Sequence, residues 1–185
     1  MRDSNILDAS KSTLVVVDMQ EAFRSVIGDF ALIASRIPLA VRGFATLGVP
    51  IIVTEQYPKG LGRTIEEITL SLPDGVEIIE KSAFSACGAE AFNDRLQKLG
   101  VGQVAICGIE THVCVNQTTH DLLERDYDVH VLTDCVGARF EHDQQAGLKK
   151  MFARGAVSSS VEMALFELMR DSGHEKFKEV QSLIR

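Results

Sequence analysis

Several features that would settle a function class outright are missing from these 185 residues. Basic charge is scarce: 19 Lys and Arg stand against 26 Asp and Glu, a formal net charge of −7. The basic residues are also scattered along the chain. Phosphate backbones and anionic lipids call for clustered cations, so neither nucleic acid nor a membrane surface is the expected partner. No apolar run approaches membrane-spanning length. The four cysteines, Cys87, Cys107, Cys114 and Cys135, form no CxxC pair. The opening residues 1–8 carry two aspartates and no apolar core, which fits no secretory signal. Reduced thiols in a cytoplasmic setting are therefore expected, rather than a disulfide framework or a zinc site. The five histidines include no HExxH. No GxGxxG follows the first apolar run and no GxxxxGK[ST] occurs, so no nucleotide cofactor is expected. Internal repeats and low-complexity segments are absent.

What is present is a hydrophobic fraction of 45%, ample for one α/β domain over residues 1–185 with a substantial core. Short apolar, β-branched runs at 13–17, 49–53, 76–79, 103–107, 129–132 and 156–158 read as strands. Between them, helical spacing recurs over 30–47, closed by Gly48 and with Pro38 starting or kinking a helix, and again over 89–99 and 144–154. Two amphipathic segments, 161–170 and 175–184, end the chain. Strict βαβα alternation predicts a doubly wound, mostly parallel six-stranded sheet with helices on both faces, a Rossmann-like three-layer sandwich.

Polar residues at strand exits are the candidates for chemistry, because the crevice of an open parallel sheet lies outside the C-terminal ends of its strands. The first strand stops at Asp18, either a catalytic carboxylate or a cap for the segment beginning Met19-Gln-Glu. The second delivers the polar, Gly/Pro-punctuated stretch 54–63, a pocket-lining loop or an ordinary surface connection. The third hands on to Lys81. The fourth breaks at Gly108 and passes through Thr111, a sensible N-cap, into an amphipathic segment. Cys114 would then lie in a first helical turn, where free N–H groups and the helix dipole favour a thiolate. Taken alone, Cys114 reads first as a small buried apolar residue and Lys81 as a surface charge. His112, two residues from Cys114, would point to a different helix face and reads as pocket wall or surface.

Three motifs join these positions. An Asp-x-Gln at the first strand exit (Asp18, Gln20), a Lys-x-x-Phe-Ser (Lys81, Phe84, Ser85) and a Gly-x-x-Thr-x-x-Cys (Gly108, Thr111, Cys114) occur in order across nearly the whole chain. Together they resemble the isochorismatase-like cysteine hydrolase family. The 54–62 loop and the Lys176-Phe-Lys-Glu ending resemble its isochorismatase-domain-containing subgroup more narrowly. The resemblance implies a triad in which Asp18 is the general base for the Cys114 thiol, Lys81 balances the charge, and the thiolate attacks an acyl carbon. It further implies a non-proline cis peptide at Ile109-Glu110 and an oxyanion hole from the backbone N–H groups of Glu110 and Cys114. Gln20, Phe23, Tyr57 and Phe84 are the candidate substrate-binding residues.

Two departures narrow the reading. Nicotinamidases of this family hold a metal with Asp-x-His after the second strand, where this chain has Glu55-Gln56-Tyr57, so no metal is expected. Isochorismatases proper do not need the cysteine, so Cys114 points to a small amide, imide or related acyl substrate and to no cofactor. A binding or scaffold protein that keeps the fold without turnover is the alternative. Relatives commonly assemble, and Leu165, Phe166, Leu168 and Met169 crowd one short stretch with more apolar surface than one helix face buries. A homo-oligomer, a dimer or larger, is expected on that ground.

Overall fold

The computed structural model describes residues 5–185. Residues 1–4, half of the segment whose composition argues against a secretory signal, lie outside the described residues. Six strands form one all-parallel sheet: β1 (Ser12–Val17), β2 (Ile51–Gln56), β3 (Ile78–Lys81), β4 (Gln103–Ile109), β5 (Asp128–Gly137) and β6 (Val157–Ser159). Their order is β3-β2-β1-β4-β5-β6. The chain moves outward from β1 to β3, then returns to place β4 on the other side of β1, so the direction of winding reverses between β1 and β4. A crevice opens at such a switch point, outside the carboxyl ends of the strands.

Alternation along the strands feeds two cores. Leu14 and Val16 of β1 face a cluster with Ile33, Phe44, Leu165 and Val180, built by α1 (Phe30–Thr46), α7 (Val161–Met169) and α8 (Phe177–Leu183). Val15 and Val17 face the opposite cluster with Phe92, Leu96, Leu122 and Met151, from α4 (Glu90–Leu99), α5 (Asn116–Glu124) and α6 (Glu141–Arg154). All six residues of β1 are buried, as a strand covered on both faces requires. Each large apolar side chain removed from water contributes about 1.5–3 kcal/mol. Two one-turn helices, α2 (Pro58–Leu61) and α3 (Glu66–Thr69), fill the connection from β2 to β3. No helix among the described residues is long and apolar enough to cross a membrane.

The sheet reaches further than the apolar runs do. β2 extends to Gln56, so Thr54 and Glu55, read as loop from their polarity, are strand residues at 0% and 1% exposure. β3 extends to Lys81, and β5 runs on to Gly137 past a register shift opposite Ile106 and Gly108. Polarity ends an apolar run without ending a ladder, because partners across the sheet can satisfy buried polar side chains. Pro38 lies inside α1 rather than starting it.

The apolar C-terminal stretch is also corrected. Leu165, Leu168 and Met169 are buried at 5% exposure or less within a single chain, packed under α1, while Phe166 remains 39% exposed and stacks edge-on against Phe177. Three of the four residues that argued for self-association are accounted for by the chain's own core.

One backbone contact sets how closely β1 and β4 approach. Gly108 has φ 113, and a Cβ placed on it would sit 2.0 Å from the carbonyl oxygen of Val17, its register partner. No side chain fits there without parting the two strands. Gly108→Ala is expected to cost at least about 3 kcal/mol, in the range of the most disruptive single substitutions. Urea unfolding measures this, and a loss below about 1 kcal/mol would show that the strands do not need this approach.

Candidate active site

Asp18 is the first residue beyond β1 and the point where the chain leaves its alternation. Period two would send its side chain to the face of Leu14 and Val16. Instead its backbone is left-handed, φ 50, a conformation that Asp tolerates better than most residues. The carboxylate meets groups from β2 and β3. Oδ1 accepts from Thr54 Oγ1 at 2.7 Å and Oδ2 from Lys81 Nζ at 2.6 Å. Both members of the ion pair are out of water, with side-chain exposures of 0% for Lys81 and 1% for Asp18. Burial of two charges is stable only when their remaining hydrogen-bonding groups are met. The Lys81 ammonium also donates to Gln56 Oε1 at 2.8 Å, Phe84 O at 2.9 Å and Ala83 O at 3.2 Å.

Cys114 approaches this pair from β4. The peptide Ile109–Glu110 is cis, and a π-helical turn, Thr111–Val115, follows it before α5 begins. Thr111 is not the cap its sequence position suggests. Glu110 precedes the turn, and the Thr111 hydroxyl is buried with no hydrogen-bond partner among the described residues. The Glu110 carboxylate is engaged elsewhere, accepting from the backbone N–H and the Nε of Arg139, both at 3.0 Å.

The thiol of Cys114 senses both partners, but burial outweighs them. Desolvation, then the negative charge of Asp18, pushes its pKa up to about 12, and Lys81 offsets only part of the rise. The turn position, which by itself favours a thiolate, does not outweigh burial. At neutral pH the resting group is the thiol, and ionisation requires a proton acceptor at the moment of reaction. The thiols of Cys87, Cys107 and Cys135 are likewise raised, by burial first.

The four candidate substrate contacts separate. Tyr57 and Phe84 are 59% and 53% exposed beside the buried pair, and Tyr57 borders a cavity of about 250 Å³ with Pro58, Lys59, Glu80, Lys81 and Ser82. Phe23 is half-buried against the core. Gln20 is a correction: it is fully buried, and its amide clasps the backbone, accepting from Gln56 N at 2.8 Å and donating to Gln56 O at 3.0 Å and Gly62 O at 2.7 Å. It holds the end of β2 with both amide protons in use and its side chain out of solvent. A larger cavity of about 370 Å³, between β2, β3 and α4, is lined by residues such as Ile52, Glu77, Asp94 and Lys98 and by none of the triad candidates.

Glu55, the residue at which the sequence departs from the Asp-x-His metal pattern, is engaged within the chain. Its Oε1 accepts from Thr64 N and Oγ1 at 2.6 and 2.8 Å, and its Oε2 pairs with Arg63 at 2.9 Å. The carboxylate is thus used to anchor the following loop. No group of three or more His, Cys, Asp or Glu side chains placed to hold a metal occurs among the described residues. His112 faces Asp143 on α6, with Nε2 at 3.8 Å from Oδ2.

Three residues that sequence reasoning did not single out complete the arrangement: Thr54, Gln56 and Arg139. Thr54 and Gln56 carried one signal, polar residues at positions 54 and 56 continuing the period of a strand. Arg139 carried none.

The isochorismatase domain model matches residues 12–163. Isochorismatase domain-containing protein 1 of Salmo salar is 40% identical over 169 residues, covering 91% of this chain and 59% of that protein. This chain therefore spans about three fifths of that relative's length. The solved structure of MAR1 ribonuclease from Caenorhabditis elegans is 42% identical with a TM-score of 0.89, covering 97% of this chain and 92% of that one. YcaC from Pseudomonas aeruginosa, solved with hexane-2,5-diol and covalent acrylamide, is 26% identical with a TM-score of 0.88 over 96% of this chain and 91% of that one.

The raised Cys114 thiol generates a stability prediction. From its ordinary value of 9.0 up to about 12, the folded chain keeps a proton that the unfolded chain has released, so stability must fall as pH rises through this window. The slope is about 1.4 kcal/mol per pH unit for one such thiol. Urea unfolding of the wild type should weaken more steeply than that of Cys114→Ala between pH 9 and 10.5. Equal slopes would show that the folded and unfolded thiols titrate alike.

Proposed function

Because this chain belongs to the isochorismatase family, we propose that it is a metal-independent cysteine hydrolase of a small amide, imide or related acyl compound. The observation that carries this reading is the buried Asp18–Lys81 pair beside the Cys114 thiol, at the switch point of the sheet. Asp18 retains lone pairs beyond those used by Thr54 and Lys81, and its charge already reaches the sulfur. The thiol proton passes to Asp18 as sulfur attacks the acyl carbon. Lys81 remains close enough to compensate the charge throughout. The backbone N–H groups of Glu110 and Cys114 receive the developing oxyanion. Collapse breaks the C–N bond, and the leaving amine takes the proton from Asp18. Water then attacks the thioester, gives a proton to Asp18, and the released thiolate recovers it.

The covalent acrylamide on YcaC supports this reading, since it shows a fold of this kind holding an amide-bearing electrophile. The engaged Glu55 carboxylate supports the metal-independent form. Tyr57 and Phe84 would meet the substrate at the rim. The similarity to MAR1 ribonuclease favours a second reading, phosphodiester cleavage in RNA. Against it stand the formal charge of −7 and a Lys81 ammonium enclosed within the protein. A scaffold that binds without turnover would keep the site and lose the chemistry.

Asp18→Asn separates these readings. Amide turnover should fall by about 10²- to 10⁴-fold, the usual contribution of a general base. Alkylation of Cys114 at pH 8 should accelerate in the same variant, because the thiolate replaces Asp18 as the counter-ion of Lys81. An Asp18→Asn protein with full turnover would remove Asp18 from the mechanism. RNA cleavage that survives Cys114→Ala, with no amide hydrolysed by the wild type, would transfer the assignment to a nuclease or to a scaffold with a contaminant.

A further inference from the structure

The Lys81 ammonium has three protons. Three acceptors lie within 2.9 Å of it: Asp18 Oδ2, Gln56 Oε1 and Phe84 O. The Ala83 carbonyl shares one of these protons at 3.2 Å, and the Cys114 sulfur lies within hydrogen-bonding reach of the same cation, so the sulfur competes with these acceptors for its N–H groups. Gln56 is itself fixed at several atoms. Its Nε2 donates to Ser82 O at 2.8 Å, and Gln20 clasps both its backbone N–H and its carbonyl. Two residues earlier on the same face of β2, the fully buried Thr54 donates to the other oxygen of Asp18. One strand therefore holds the anion at one position and the cation at the next.

We propose that Thr54 and Gln56 are positioning residues for the Asp18–Lys81 pair and thereby set how readily Cys114 ionises. Gln56 occupies the ammonium N–H that would otherwise turn toward the sulfur, which keeps the nucleophile protonated until substrate arrives. Thr54 anchors one carboxylate oxygen and withdraws negative charge from it, which moderates Asp18 as a repulsive neighbour of the thiolate. Both residues act through the pair. The inference deepens the hydrolase reading and rests on it.

The two roles have opposite signs, which makes them separable from a loss of packing. Freeing an ammonium N–H in Gln56→Leu should ease thiol ionisation, and adding an anion in Gln56→Glu should hinder it. Thr54→Val, which keeps shape and removes the donor, should also hinder it, and Thr54→Ser should restore it. The readout is the rate of Cys114 alkylation by iodoacetamide between pH 7.5 and 9.5, resolved by mass spectrometry. Gln56→Leu should be faster than wild type by about three- to tenfold, equivalent to roughly half to one pKa unit. Gln56→Glu and Thr54→Val should be slower by a similar factor, and Thr54→Ser should lie within about twofold of wild type, a quarter of a pKa unit. Amide turnover measured alongside should show kcat falling in Thr54→Val with KM retained. A purely structural role would loosen the site and move all three disruptive variants in one direction. That result, or unchanged rates throughout, overturns the proposal. If Thr54→Val does not fold, the opposed Gln56 variants still decide it. A wild type inert to amides would sink the hydrolase reading, while the order of alkylation rates would still decide the positioning roles.

Discussion

A carboxylate and an ammonium held in contact away from water impose more order on this chain than any other single interaction. A buried ion pair is stable only if every remaining donor and acceptor around it is met, since either charge left alone would cost several kcal/mol. The neighbourhood is arranged accordingly. β2 continues three residues beyond its last apolar side chain to bring up Thr54 and Gln56. The chain after β3 turns so that the carbonyls of Ala83 and Phe84 face Lys81. Gln20 ties the end of β2 to Gly62. Asp18 adopts a left-handed backbone so that its side chain leaves the face its strand would have given it. Such a conformation costs about 1–3 kcal/mol and persists where surrounding contacts over-determine it.

The same enclosure governs Cys114, the proposed nucleophile. Burial that strengthens the attraction between Asp18 and Lys81 also disfavours a thiolate at Cys114, and the second effect is the larger for the resting thiol. A permanently ionised cysteine would be alkylated or oxidised by whatever reached it. A protonated one beside a carboxylate is spared this, and in the proposed mechanism it ionises only as an acyl carbon takes up the sulfur's electron pair. The close approach of β1 and β4 at Gly108 belongs to the same design, because it sets the distance between the strand end bearing Asp18 and the turn bearing Cys114.

Membership of the isochorismatase family fixes the fold and leaves the reaction to the site. Relatives at about 40% identity carry names as different as isochorismatase domain-containing protein and ribonuclease. A shared fold does not carry a shared reaction, which is set by the side chains of the site. In this chain the second strand exit has a loop-anchoring Glu55 and an exposed Tyr57.

By itself the sequence determined the layer order, the parallel sheet and the identity of the residues at its exits. These follow from local periodicity and from Gly and Pro punctuation, which depend on near neighbours in the chain. Asp18, Lys81 and Cys114 were legible as candidates for that reason, and the motifs they form across three strands identified their family. The ends of β2, β3 and β5 were not legible, because a polar side chain inside a ladder looks like a loop residue until its partner across the sheet is known. Gln20 was misread as a ligand contact and Leu165 as interface for the same reason: a buried amide with backbone partners and an exposed one, or a helix face under α1 and a bare one, are written with the same letters. The partners of Thr54 and Gln56, 36 and 25 residues away along the chain, and the protonated state of Cys114 were decided only by tertiary structure. Hydrogen-bond satisfaction and desolvation depend on what surrounds an atom in space, and neither has a period in the sequence.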